Sequence, residues 1–225
     1  MTGELSWEPI NIISQLTELI VIVERSIIDT PANKTRSLQK FRRWKTELNA
    51  TAKRVAFAEE TIAVNLSQLF GISMNDRGLL SISLFQPSTK NLFLELLIHY
   101  CNGVTDQLDR TMLNNLAALC EMAKVLALVG DAVIDLAVLH QLWKPSVADV
   151  GSLTQDRSDI VSNEHLAMKC DEFELYDNRI HFDPPTTSKS EMEHIKGTLV
   201  EALYGVIYIE YGFDKVKETI KHIIG

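Results

Sequence analysis

Asp131 and Asp135 stand four residues apart in Leu128-Val129-Gly130-Asp131-Ala132-Val133-Ile134-Asp135-Leu136, an otherwise apolar run. At helical pitch this spacing puts both carboxylates on one face. Removing a charge from water is costly unless it is paired or binds a cation, so acids in an apolar helix indicate either a metal site or a satisfied structural network. Spacing alone favours the network. His99, His140, His165, His181, His194 and His222 show no ligand spacing with a nearby acid, which speaks against zinc. Cys101, Cys120 and Cys170 form no C-x-x-C pair and are odd in number, so neither a disulfide framework nor a zinc knuckle is expected. They read as reduced, partly buried thiols, which points to the cytoplasm.

A second feature is a concentration of charge. Between positions 34 and 54 stand Lys34, Arg36, Lys40, Arg42, Arg43, Lys45, Lys53 and Arg54 against Glu47 alone, in a chain of formal net charge −8. Overall acidity argues against wholesale attraction to phosphates, yet it leaves room for a local basic face. Phe41, Trp44 and Leu48 fit one apolar face of a helix whose basic residues are solvated, and this is the stronger reading. The functional alternative is that Lys40, Arg42, Arg43, Lys45, Lys53 and Arg54 contact RNA, with the aromatics available for stacking.

The elements that must position these residues read as helices almost throughout. Ile12, Ile13, Leu16, Leu19, Ile20 and Val23 recur at spacings of three and four, giving an amphipathic helix over 10–28 that Asp29-Thr30-Pro31 breaks. Leu38, Phe41, Trp44, Leu48, Val55, Ile62, Leu66 and Leu69 continue as one long or two shorter helices ending near Gly71, completing an N-terminal helical hairpin. Further helices are read over 79–84, 91–100, 109–143, 150–161, 163–170, 190–211 and 214–223. The breaks between them fall at Pro87, at Asn102-Gly103, at Pro145 and in a loop over 171–189 containing Asp183-Pro184-Pro185. Gly130 reads as a packing contact or a boundary. The fold class is all-α, with a helical region over 1–72 and a second unit over 73–225. The apolar run from Ala127 to Leu142 is interrupted by Asp131 and Asp135, so no membrane span is expected. Met1 to Glu8 holds no Lys or Arg, so no export signal is expected either.

Three segments in order carry a family resemblance. Leu128 to Leu136, with the residues just before it, resembles the ribonuclease III signature L-E-F-L-G-D-A-V-L-D-L. Ile160-Val161-Ser162-Asn163-Glu164-His165-Leu166-Ala167 resembles L-V-S-N-E-x-L-A, and Glu201-Ala202-Leu203-Tyr204-Gly205-Val206-Ile207-Tyr208 resembles E-A-L-I-G-A-I-Y. Gly212-Phe213 continues the match, and Phe85-Gln86-Pro87-Ser88 is a looser counterpart of T-H-P-S with Gln86 in place of the histidine.

The resemblance, specific over about 124–224, implies an all-helical endonuclease working as a homodimer on double-stranded or structured RNA. In that family four carboxylates gather Mg2+ (or Mn2+), which activates water and stabilises charge on the scissile phosphate. Asp131 and Glu201 fall on the two positions tied most closely to catalysis, as metal ligands. The glutamate expected four residues before Asp131 is Ala127, the aspartate expected three before Glu201 is Thr198, and a further glutamate becomes Lys124. Asp135, Thr198 and Glu164 are left as candidates for supporting contacts, and metal affinity is expected to be reduced. The family commonly adds a double-stranded-RNA-binding domain after the nuclease; here the sequence ends at Gly225, so the basic N-terminal segment is the natural substitute if RNA is bound. Three functions follow: a magnesium-dependent endoribonuclease, an RNA-binding or assembly module with an impaired metal site, or a protein-interaction scaffold.

Overall fold

The computed structural model describes residues 10–101, 108–143, 149–184 and 188–225. The sequence-stated breaks at Asn102-Gly103 and Pro145, and Pro185, lie outside the described residues. Ten α-helices are described: α1 (Ile12–Asp29), α2 (Thr35–Phe57), α3 (Ala63–Phe70), α4 (Arg77–Ser83), α5 (Thr89–Cys101), α6 (Arg110–Leu142), α7 (Val150–Ile160), α8 (Asn163–Glu172), α9 (Lys189–Thr219) and α10 (Lys221–Ile224). The all-α expectation holds.

The long α6 and α9 pack against each other along much of their length and form the centre of the fold; α8 lies on α9, α5 on α6, and α1 on α2. Several helix N-termini are fixed locally by a short polar side chain. Asn11 accepts from the Ser14 amide at 2.9 Å, Asp109 from Thr111 at 2.8 Å, and Ser162 from His165 at 3.2 Å, satisfying amides that have no intrahelical partner. The segment between α2 and α3, Ala58–Ile62, is π-helical, so the expected long helix is continuous but carries a bulge. Gly71 then ends α3 with φ +64°, a left-handed turn that costs glycine little.

The expected break between the C-terminal helices is present: within the Lys189–Thr219 span Gly212, with φ of +76° and ψ of 179°, is non-helical, a conformation that suits glycine, and helical turns resume after it. The 171–189 loop includes one short bridged piece, where Ile180 pairs with Phe85: the Gln86 amide donates to the Ile180 carbonyl and the Ile180 amide to the Leu84 carbonyl, both at 2.9 Å. One buried apolar cluster runs from Ile12 and Trp44 in the N-terminal helices through Leu126 and Ile134 to Leu203 and Ile223.

Candidate active site

Glycines set the geometry at the crossing of α6 and α9. A Cβ on Gly130 would lie 1.7 Å from the Glu201 carbonyl oxygen, and one on Gly205 would lie 2.1 Å from the Leu126 carbonyl oxygen. Without side chains at these points the two backbones touch, and Asp131 is brought beside Glu201. Gly130 is therefore a packing contact. Gly197 repeats the device against α8, where a Cβ would meet Asn163 Oδ1 at 2.7 Å. Ser162 and Asn163, two residues of the middle motif, are thus a helix cap and a packing partner.

Asp131 is exposed and Glu201 half-buried, so only part of the acid pair is as buried as an apolar helix would suggest. Burial pushes the Glu201 carboxyl up to about 7, with the nearby Asp131 charge adding to it. Asp131 is raised for the same reason, its burial first and then Asp135, while Arg157 opposes. The two acids repel each other, and among the described residues neither is in an ion pair; Arg157 acts on Asp131 only without direct contact. Asp135 is different: Arg157 Nη1 donates to its Oδ2 at 2.7 Å, while its buried Oδ1 has no hydrogen-bond partner among the described residues. Arg157, which ties α7 to α6, is absent from the sequence reading because nothing in the motif pointed to it.

A cleft of about 570 Å³ is lined by residues of α6 and α9, most of them preceding Asp131 and Glu201 in the sequence, and by the segment before α5; neither acid lines it. Lys124, Ala127, Thr198 and His194 line it together with Gln86, Pro87 and Ser88. The loosest of the sequence matches therefore belongs to the wall of this cleft. Thr198 donates its hydroxyl to the His194 carbonyl at 2.9 Å, and Lys124 is held 3.3 Å from Glu121 on its own helix. Glu164 is exposed, 3.6 Å from Lys189, which also pairs with Glu193 at 3.3 Å. Among the described residues no three His, Cys, Asp or Glu side chains gather as a metal cluster. The donor set still fits one ion: two carboxylates whose mutual repulsion a cation would relieve, one of them, Asp131, exposed to the water that magnesium retains.

Residues 124–212 match the family model described as Ribonuclease III domain. Over these residues the chain is similar to ribonuclease III domains. Its relatives include the Ribonuclease 3 of Bacteroides thetaiotaomicron, 29% identical over 141 residues, covering 62% of this chain and 42% of that protein. The Ribonuclease 3 of Flavobacterium psychrophilum is 38% identical over 90 residues, 39% of this chain and 35% of its own. Human Ribonuclease 3 is 30% identical over 105 residues, 44% of this chain and 7% of its own. The chain thus spans less than half the length of these relatives.

The basic segment over 34–54 is sorted by its neighbours. Arg43 is bonded to Glu95 and lies 4.0 Å from Glu47, Lys45 pairs with Glu24 at 2.8 Å, and Arg54 donates to the Arg179 and His181 carbonyls at 3.3 and 2.9 Å. Lys40 lies over the Trp44 ring, 4.7 Å from its centroid, and 3.4 Å from His99 Nδ1. Arg42 and Lys53 face solvent. Cys101, Cys120 and Cys170 are buried free thiols, and burial pushes Cys170 up to about 12. Among the described residues no helix is long and apolar enough to cross a membrane.

Proposed function

We propose that the chain is a ribonuclease III-type endoribonuclease that hydrolyses phosphodiester bonds of double-stranded or structured RNA. The observation that carries this reading is the placement of Asp131 beside Glu201 at the glycine-lined crossing of α6 and α9. Asp131 and Glu201 are the metal ligands, with Mg2+ or Mn2+ as the ion. The bound ion would supply an activated water and charge neutralisation at the scissile phosphate. Asp135, held by Arg157, steadies α6 behind Asp131, and the cleft past Ala127 and Thr198 receives the strand next to the scissile bond.

The active form is a homodimer. Val125, Leu128 and Leu136 on α6 are 59%, 71% and 55% exposed, and at 100° per residue they fall on one stripe flanking Asp131. Such an apolar stripe is costly to leave in water, and a second copy of the chain would cover it. In this division residues 1–72 form an accessory helical region and 73–225 the ribonuclease III-like unit, acting in the cytoplasm.

The deciding experiment incubates the protein with long labelled duplex RNA in Mg2+ or Mn2+, beside Asp131→Asn and Glu201→Gln. Cleavage by the unaltered protein alone supports the reading. Intact RNA in every lane sinks it and favours a second one, an RNA-binding or assembly module. That alternative draws on Ala127, Thr198 and Lys124, which leave the cleft with no further carboxylate at those positions.

A further inference from the structure

We infer that the solvent-facing side of α2, from Thr35 to Lys53, is a docking surface for the phosphate backbone of RNA. The inference rests on the reading of RNA as substrate and adds a second point of contact, away from the acid pair.

The helix separates its side chains by face. Phe41, Trp44, Leu48, Thr51 and Val55 are its buried stripe. Opposite them, at 100° per residue, stand Thr35, Gln39, Arg42, Thr46, Asn49 and Lys53. This outward stripe holds two cations and otherwise only hydroxyl and amide side chains and no carboxylate. Thr46 donates its hydroxyl to the Arg42 carbonyl and Asn49 one amide hydrogen to the Lys45 carbonyl, which leaves Arg42, Lys53, Thr35, Gln39 and the second Asn49 hydrogen as donors toward solvent. Arg36 extends it on the side nearer α5. From Thr35 to Lys53 the stripe runs about 27 Å along the axis.

The flanks explain why this face stays positive. Glu24 on α1 is paired with Lys45, and Glu95 on α5 with Arg43, while Glu47 lies in the salt bridge range of Arg43. The carboxylates bordering α2 are thus already matched. Among the described residues no ion pair engages Lys34, Arg36, Arg42 or Lys53. The next exposed acid along the helix is Glu60, within the π-helical segment beyond Lys53. In a chain of net charge −8, an uncompensated cationic stripe lined by donors is complementary to a polyanion. A phosphate backbone offers the acceptors such donors need, at intervals along its length.

The face is also fixed relative to the cleft. Arg54, the neighbour of Lys53, donates to the carbonyls of Arg179 and His181, and Asp183 at the end of that segment lines the cleft beside Thr198. An RNA held on α2 is therefore held on an element tied to the wall of the cleft.

The test compares Arg42→Gln/Lys53→Gln with Arg25→Gln/Lys221→Gln, which removes two exposed cations elsewhere. Binding of fluorescent duplex RNA is measured against salt concentration in EDTA, so that cleavage does not enter. Loss of two phosphate contacts should lower the slope of log affinity against log salt by about 1.5 to 2 in the first variant, with the control close to the unaltered protein. Equal slopes in all three proteins overturn the proposal. So does binding to vesicles containing phosphatidylserine that the first variant loses while its RNA binding is intact; the face would then be a membrane contact. Cleavage in Mg2+ is read separately. An unaltered protein that never cleaves but loses its salt slope in the variant keeps the docking surface and loses the enzymatic reading; one that cleaves with unchanged slope in the variant does the reverse.

Discussion

Gly130 of α6 rests directly on the Glu201 peptide of α9, leaving 1.7 Å where a Cβ would meet the carbonyl oxygen. Backbone lies on backbone there, so neither partner can swing aside. Gly130→Ala should cost about 3 kcal/mol of stability, at the upper end for overpacking, and should move Asp131 away from Glu201. Urea unfolding reads the first effect. The second appears as loss of any Mn2+-induced rise in melting temperature, and an unchanged midpoint would show that the helices do not cross this closely in solution.

Glu201 makes stability depend on pH in the direction opposite to an ordinary salt-bridged acid. Its carboxyl is pushed from 4.5 to about 7 by burial and then by Asp131. The folded state therefore holds a proton that the unfolded chain releases. This contribution is full below about pH 4.5 and lost as pH rises through about 7. The whole difference amounts to about 3 kcal/mol, and solvent screening of a half-exposed side chain brings it to about 1–2. Glu201→Gln should then melt higher than the unaltered protein at pH 8 and equally at pH 4.5. A melting temperature lowered alike at both values would contradict the assignment. Since an ion must displace this proton, Mn2+ stabilisation should be weaker at pH 6 than at pH 8.

Much of this was legible in the sequence. The three-and-four spacing of Leu16, Leu19 and Val23 or of Phe41, Trp44 and Leu48 marks buried faces because a helix repeats on that period. Gly130 stood out as a residue that a helix interior would not choose, and the ribonuclease III resemblance singled out Asp131 and Glu201 before any geometry. What could not be read were contacts between segments remote in sequence. Arg157 meets Asp135 only because α7 folds back on α6, and Phe85 meets Ile180 across a long stretch of sequence. The basic residues carried no mark to separate Arg43, spent on Glu95, from Arg42, which faces water. Partner choice across space has no local signature.

Arg157 should support Asp135 by a measurable but modest amount. The pair is 2.7 Å apart with both side chains about a third exposed, which places it between a surface ion pair and a buried one. Arg157→Ala should cost about 1 kcal/mol, with a coupling to Asp135→Asn of similar size in a double-mutant cycle. Additive single changes would mean that the pair contributes nothing in water. Arg157 also opposes the rise in the Asp131 pKa, so its removal should require a higher pH for metal binding.

The apolar stripe on α6 should decide the oligomeric state. Leu128 is 71% exposed in one chain, which is hard to reconcile with an isolated 25.4 kDa monomer that keeps Val125 and Leu136 beside it in water. Sedimentation equilibrium should return twice the chain mass for the unaltered protein and 25.4 kDa for Leu128→Glu, because a symmetric interface places the new carboxylate near its own copy. The exposed position makes the substitution tolerable to the folded chain, so circular dichroism should be unchanged. A monomer in both cases would remove the homodimer from the proposal, whereas dissociation together with loss of RNA cleavage would show that the acid pair acts only within the dimer.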